Sequence, residues 1–155
     1  MALDRPTDNG GATLAAETVE QDVVLIRLPA AGAYLALLRT ATAGLAARLD
    51  FTLDDIEDLR IAVDEACAML LAQAAPGSTL DCSFELLHDA LKISVSVVTT
   101  DGQQPSRDTF AWTVLSALAG AVDSSVDADN RVTIALQKRR RNLDEGVVLG
   151  VGPAS

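Results

Sequence analysis

The chain has 155 residues, of which 49% are hydrophobic and 3% aromatic, and its formal net charge is −10. This length suits one domain with an aliphatic core, and no apolar run reaches the ~18 residues that a membrane-spanning helix needs. The N-terminal segment lacks the apolar stretch of a signal peptide, and the acidic charge would repel nucleic acid phosphates. We therefore expect a cytoplasmic protein that binds neither nucleic acid nor membrane. The charge favours a basic protein partner or serves solubility alone.

The two polar ends of the chain frame a single predicted domain. Residues 1–20 and 142–155 show no sustained periodicity, which predicts a disordered arm and a disordered tail around one domain over residues 21–141. The basic run at residues 138–141 is typical of a solvated helix or strand end rather than of a nucleic-acid-binding patch.

The first predicted elements are a strand and a helix. Alternating apolar residues at positions 24, 26 and 28 predict a strand that ends at Pro29. A helix from about Ala33 to Leu49 follows, because apolar or small residues recur on one side of it at helical spacing: Leu35, Leu38, Thr42, Leu45 and Leu49.

A second helix is predicted from Thr52 to about Ala74. Thr52 and Asp55 have the spacing of a capping box, and Pro76-Gly77 ends the helix. Its predicted buried side consists of Ile56, Leu59, Val63, Cys67, Leu70 and Ala74, and its opposite side of Asp54, Asp58, Ile61, Glu65 and Met69. Acidic residues on such an outer face are ordinarily solvent contacts, although the carboxylates of Asp64-Glu65 could also act as a general base.

A β-hairpin follows the second helix. Residues 80–86 and 91–97 alternate between apolar and polar side chains around a turn at His88-Asp89, so His88 is predicted to be a turn residue rather than a catalyst. The two cysteines, Cys67 and Cys82, match no metal or disulfide spacing. Both are predicted to be small core residues, with a redox switch as the alternative.

A third helix is predicted from Thr109 to about Ala119, with Asp108 as its cap. Two strands near residues 121–126 and 131–137 complete the order β α α β β α β β. This order predicts an α+β fold, a two-layer α/β sandwich in which helices cover one face of a mainly antiparallel sheet. No glycine-rich phosphate loop, Ser/His/Asp set or metal cluster accompanies the predicted elements.

The most specific stretch of the sequence is DDIEDLRIAVDEAC, at residues 54–67. Together with its surroundings at residues 29–74, it resembles the bacterial anti-sigma factors that are also serine-protein kinases. They belong to the ATPase superfamily of gyrase, Hsp90, histidine kinases and MutL, and the resemblance covers residues 22–138, more weakly after residue 74. It implies a Bergerat-type, histidine-kinase-like ATPase fold and a regulator of stress-response transcription that holds an alternative sigma factor away from RNA polymerase.

The resemblance also implies partners and the residues that bind them. Family members contact the sigma factor through the first helix, where an Arg is central. Arg39 aligns with that Arg, and Tyr34 and Leu35 are nearby candidates. An anti-anti-sigma antagonist of the STAS type relieves the sigma factor, and family members commonly form homodimers, so we expect these partners here.

The family's nucleotide-binding residues are largely replaced in this chain. In the family, a Glu activates the attacking hydroxyl and an Asn four residues later binds Mg²⁺. Glu65 keeps the first position, but Met69 occupies the second, and a thioether is a poor ligand for this hard cation. The Asp that receives the adenine amino group aligns with Val97, and the phosphate-binding amides before the last helix align with Thr109 and Ala111.

These departures predict that the nucleotide site is degenerate. Asp101-Gly102 is displaced from the first glycine box, and only a dozen residues separate the two aligned boxes, too few for the family's ATP lid. We therefore expect no ATP or Mg²⁺ cofactor, no kinase activity and a vestigial Glu65, with Phe110 and Trp112 filling the core where the ligand would lie. The alternatives are an active serine-protein kinase with Glu65 as base, or an adaptor of this fold for another partner.

Overall fold

Five strands and three α-helices make up the part of the chain that the computed structural model describes, residues 22–141. In chain order they are β1 (Asp22–Pro29), α1 (Leu35–Arg48), α2 (Leu53–Leu71), β2 (Thr79–Leu86), β3 (Ala90–Val98), α3 (Phe110–Ala119), β4 (Ala121–Val126) and β5 (Arg131–Arg139). The predicted order of elements is confirmed. The predicted arm and tail lie outside the described residues.

The strands form one sheet in the order β1-β2-β3-β5-β4, and every neighbouring pair is antiparallel. The predicted hairpin is present, with Cys82 opposite Val95. On its two sides, Ile26 pairs with Cys82 and Val95 pairs with Ile134. This register aligns the apolar residues of four strands on one face of the sheet, as the α+β prediction requires.

The core lies between that face and the three helices. Along β2, buried residues alternate with half-buried ones, and the buried set continues through β3 and β5. Phe84, Ile93 and Ile134 are fully buried there. The sheet packs its apolar face on the helices, and the small and polar side chains at the intervening positions remain partly accessible.

The first two helices pack along each other and bury the predicted stripes in part. In α1, Leu38, Thr42 and Ala46 are buried, and the hydroxyl of Thr42 donates to the Leu38 carbonyl at 2.7 Å. That bond explains how a threonine occupies an apolar stripe, because a buried hydroxyl needs a partner. In α2, the predicted residues Leu59, Val63, Cys67 and Leu70 are buried, together with Asp55, Ala62 and Ala66.

Three predicted helix boundaries are corrected. A 3-10 turn, Gly32–Tyr34, precedes α1, which begins at Leu35 rather than near Ala33. Helix α2 ends at Leu71, because Ala74 pairs with Thr99 after β3 and is drawn into the sheet. The cap of α3 is one residue later than predicted: Thr109 is extended, and its hydroxyl accepts a hydrogen bond from the Trp112 N–H at 3.1 Å.

The basic run at residues 138–141, which ends β5 and continues beyond it, connects the strand to the helical layer. Arg139 pairs with Asp89 at 2.6 Å, Arg140 donates to the Leu49 carbonyl at 3.2 Å, and Arg141 donates to Asp55 at 2.7 Å. Lys138 donates to the Leu118 carbonyl at 2.8 Å. The run is a strand end, as predicted, but all four side chains make contacts within the domain.

Candidate binding surface and nucleotide-site positions

The adjacent carboxylates of α2 point to different neighbours. Arg39 of α1 donates through Nη1 to Asp64 Oδ1 at 2.8 Å, so Asp64 faces α1. Glu65 lies two turns after Asp58, whose Oδ2 is 3.6 Å from Lys138 Nζ, and Lys138 in turn binds the end of α3. Glu65 therefore lies on the same side of α2 as Asp58, about 100° around the helix from Asp64.

On the α1 side, Arg39 is fixed but accessible. Its side chain is 35% exposed and that of Asp64 is 39% exposed. Leu35, one helical turn earlier, lies on the same side and packs against the core. The structure thus places Leu35 and Arg39 on one side of α1, and their role in partner binding stays a prediction.

Tyr34 does not share that side of the helix. Tyr34 precedes Arg39 by five residues and Leu37 precedes it by two, so neither lies on the Arg39 face of the helix. Tyr34 is 41% exposed and Leu37 is 55% exposed. The exposure of Leu37 agrees with its absence from the predicted buried stripe.

Glu65 and Met69, the last two positions of the predicted outer face, are both half-exposed, and Met69 also packs against the core. Because α3 packs along α2 and its C-terminal end lies near Asp55, its N-terminal end at Thr109 points toward the half of α2 that carries Glu65 and Met69. The two positions that align with Mg²⁺ and phosphate binding thus share one region of the fold.

The remaining nucleotide-aligned positions are occupied by internal contacts. Val97 is fully buried in β3, opposite Leu80 and Val132. The Thr109 hydroxyl takes up the N–H of Trp112 at the start of α3, and Ala111 in the first turn is half-buried.

Trp112 and Phe110 were predicted to fill the core together, and this is wrong for Phe110. Trp112 is 6% exposed, whereas Phe110 is 82% exposed. Two residues apart on a helix, the rings cannot point the same way. The guanidinium of Arg107 covers the Trp112 ring at 4.8 Å from its centroid and also pairs with Asp123 at 2.9 Å.

The loop between β3 and α3 is tied to the sheet. The buried Thr99 hydroxyl donates to the Asn130 carbonyl at 2.9 Å and accepts from the Gly102 N–H at 2.8 Å. Farther along, Ser124 of β4 donates to Gln104 at 2.9 Å. The carboxylate of Asp101 accepts from the next-but-one N–H, at Gln103, within an exposed turn. Thr99 was not singled out by the sequence, because a buried hydroxyl at a strand end has no distinctive pattern.

Comparison with known proteins identifies the family. No protein-family model matches the sequence. The serine-protein kinase RsbW of Halalkalibacterium halodurans is 32% identical over 145 residues, which cover 87% of this chain and 82% of that protein. The chain belongs to the RsbW family.

Other RsbW relatives are named either as anti-sigma factors or as serine-protein kinases. The anti-sigma-F factor RsbW of Mycobacterium tuberculosis is 34% identical over 93 residues, or 60% of this chain and 55% of that protein. The serine-protein kinase RsbW of Staphylococcus aureus is 29% identical over 114 residues, or 71% of this chain and 67% of that protein.

A solved structure supports the RsbW fold. The crystal structure of the RsbU and RsbW domains of a Mycobacterium tuberculosis protein superimposes with a TM-score of 0.61 at 18% identity. The match covers 78% of this chain and a third of the other, 33%. It confirms the fold predicted from the resemblance.

The cysteines of this RsbW relative are core residues, as predicted. Cys67 and Cys82 are both buried and unbridged. Burial, and secondarily the charge of Asp64, raises the pKa of the Cys67 thiol to about 12, and burial raises the pKa of the Cys82 thiol as well. Both thiols are therefore held in the unreactive, protonated form at neutral pH.

Residues 22–141 were compared with the requirements of a metal site and of a membrane-spanning helix. No cluster of three or more His, Cys, Asp or Glu side chains in this region is arranged to hold a metal ion. None of its helices is both long and apolar enough to span a membrane.

Proposed function

We propose that the chain is an anti-sigma factor that sequesters a sigma factor through α1 and is relieved by a STAS-type anti-anti-sigma antagonist. The observation that carries this proposal is the presentation of Arg39 on α1, half-exposed and held at 2.8 Å by Asp64, in a member of the RsbW family. A named relative is an anti-sigma-F factor. An Arg with fixed geometry is the kind of residue that dominates protein interfaces.

We further propose that sequestration proceeds without nucleotide. The residues at the aligned positions do not suit Mg-ATP: Met69 offers a thioether that packs on the core, Val97 offers an aliphatic side chain, and Thr109 already caps the helix that would receive phosphate. A magnesium-bound phosphate needs oxygen ligands and free amides. Release of the sigma factor would then depend on competition by the antagonist.

The remaining parts of the proposal concern assembly and location. The acidic charge of −10 suits an encounter with basic protein surfaces rather than with nucleic acid. We propose a homodimer in the cytoplasm, where the sigma factor and its antagonist would be met.

The test of the anti-sigma function is affinity for purified sigma factors of the native host, measured by calorimetry with the full chain. One alternative sigma factor should bind, and Arg39→Ala should weaken that binding about 10- to 30-fold, the loss typical of an interface Arg. Arg48→Ala is the matched control, because Arg48 lies exposed in the last turn of the same helix. Equal affinity of Arg39→Ala and the wild-type chain would remove Arg39 from the interface.

The second candidate function is an active serine-protein kinase, because relatives with this name match the chain and Glu65 is half-exposed on α2. Calorimetric titration with Mg-ATP and incubation of radiolabelled ATP with a candidate antagonist separate the two functions. The nucleotide-free proposal expects no binding at micromolar concentration and no label on the antagonist. Label that disappears in Glu65→Gln would establish the kinase instead.

A further inference from the structure

The ion pair between Arg39 and Asp64 joins two helices at the proposed sigma-binding surface. The two residues are 25 positions apart in the sequence, and the Nη1–Oδ1 distance is 2.8 Å. Both side chains are partly shielded, with 35% and 39% of their surface exposed. Such a pair is more strongly coupled than the fully solvated pairs of a protein surface, because water and salt screen it less.

The backbone that carries the Asp64 carboxylate is held in place by buried neighbours. Asp64 follows Val63, which is 1% exposed, and precedes the buried residues Ala66 and Cys67, each 0% exposed. These side chains anchor the middle of α2 in the core, so the Asp64 backbone has little freedom. A long arginine side chain that binds to such a carboxylate loses rotamers before any partner arrives.

The Arg39 guanidinium keeps free N–H donors for a partner while Asp64 holds it. It has five N–H groups in one plane, and the bond to Asp64 uses one of them. Within residues 22–141, the Arg39 side chain makes no hydrogen bond other than this one. Glu65 lies about 100° around α2 from Asp64 and takes no part in this ion pair.

We propose that Asp64 is a positioning residue of the sigma-binding surface: it orders Arg39 in advance so that the remaining N–H donors meet a hydrogen-bond acceptor of the sigma factor. The proposal rests on the proposed anti-sigma function. Asp64 acts through Arg39 and does not itself touch the partner.

The test is a double-mutant cycle on sigma-factor affinity, measured by calorimetry with the full chain. Asp64→Asn should weaken binding about 2- to 10-fold, the cost of ordering one freed arginine side chain at the moment of binding. In the Arg39→Ala background, the same Asp64→Asn change should leave the affinity unaltered. Glu57→Gln is the matched control, because it breaks an ion pair of similar length, 3.0 Å, on the same helix and should leave affinity unaltered in both backgrounds.

Folding is monitored separately by far-ultraviolet circular dichroism and thermal unfolding, and Asp64→Ala serves as a second variant if Asp64→Asn fails to fold. An equal loss of affinity in both backgrounds would show that Asp64 contacts the sigma factor directly and would overturn the proposal. Unchanged or tighter binding by Asp64→Asn would overturn it as well. Failure of the wild-type chain to bind any sigma factor would instead refute the proposed function, and this inference with it.

Discussion

Replacement of Asp55 by asparagine should destabilise the domain far more than the loss of any exposed ion pair. The Asp55 side chain is 0% exposed in the first turn of α2. Its Oδ1 receives a hydrogen bond from Arg141 at 2.7 Å and lies 3.6 Å from Lys138 Nζ, and the Lys138 side chain is only 15% exposed. The carboxylate therefore binds the end of β5 to the start of α2.

The magnitude follows from burial. Removing one partner of a buried ion pair costs ~3–5 kcal/mol, because the other charge is left without compensation. Arg141 is 61% exposed and can return to water, and Lys138 keeps the Leu118 carbonyl, so the lower end of this range applies. An asparagine amide in one orientation would place its N–H groups beside the two cations. In the other orientation it would place them at the buried Oδ2 position, where no hydrogen-bond partner is available. We expect a loss of about 3 kcal/mol.

The assay is urea unfolding followed by circular dichroism, at low salt and in 1 M sodium chloride. Glu57→Gln is the control, because the Glu57–Arg60 pair lies on the same helix with 58% and 40% of its side chains exposed. That variant should lose about 0.3–0.5 kcal/mol, and salt should abolish the difference. The loss in Asp55→Asn should persist in salt. If Asp55→Asn is no less stable than Glu57→Gln, the buried contact does not stabilise the domain as argued.

Three further outcomes test the packing. The thiols of Cys67 and Cys82 should resist alkylation at pH 8 until the chain is unfolded. Because their folded pKa values lie above the ordinary 9.0, the stability that these two thiols contribute should be fully present below pH 9 and should fall as the pH rises from 9 toward 12, as urea unfolding at each pH would show. In thermal unfolding, Trp112→Ala should lower the free energy of unfolding by about 3–5 kcal/mol and Phe110→Ser by less than about 0.5 kcal/mol, because only the Trp112 ring is buried. Similar losses in the two variants would contradict the assigned orientation of the rings. Gly120→Ala should lower the free energy of unfolding by more than about 1 kcal/mol in the same measurement, because the φ angle of Gly120 is +80° and an added Cβ would lie 3.2 Å from a backbone carbonyl of β5. An unchanged stability would contradict this backbone conformation.

Much of the fold could be predicted from local patterns. Period-two alternation identified the strands, and helical spacing together with Thr52 and Pro76-Gly77 located α2. These signals are local, since each depends on which side of a strand or helix meets the core. The resemblance at residues 54–67 then indicated the family that the comparison with a named relative confirmed.

The candidate surfaces were decided by tertiary contacts that no local pattern contains. Asp64 and Glu65 are adjacent in sequence, yet the ion pair with Arg39 of α1 is made by Asp64. The exposure of Phe110 and the packing of the half-buried Met69 on the core depend equally on where α3 and the sheet meet α2. The sequence determined which residues could be charged, apolar or helical. The partners of those side chains were set by the packing of elements distant along the chain, because an ion pair or a buried ring depends on distance in space and not on spacing in sequence.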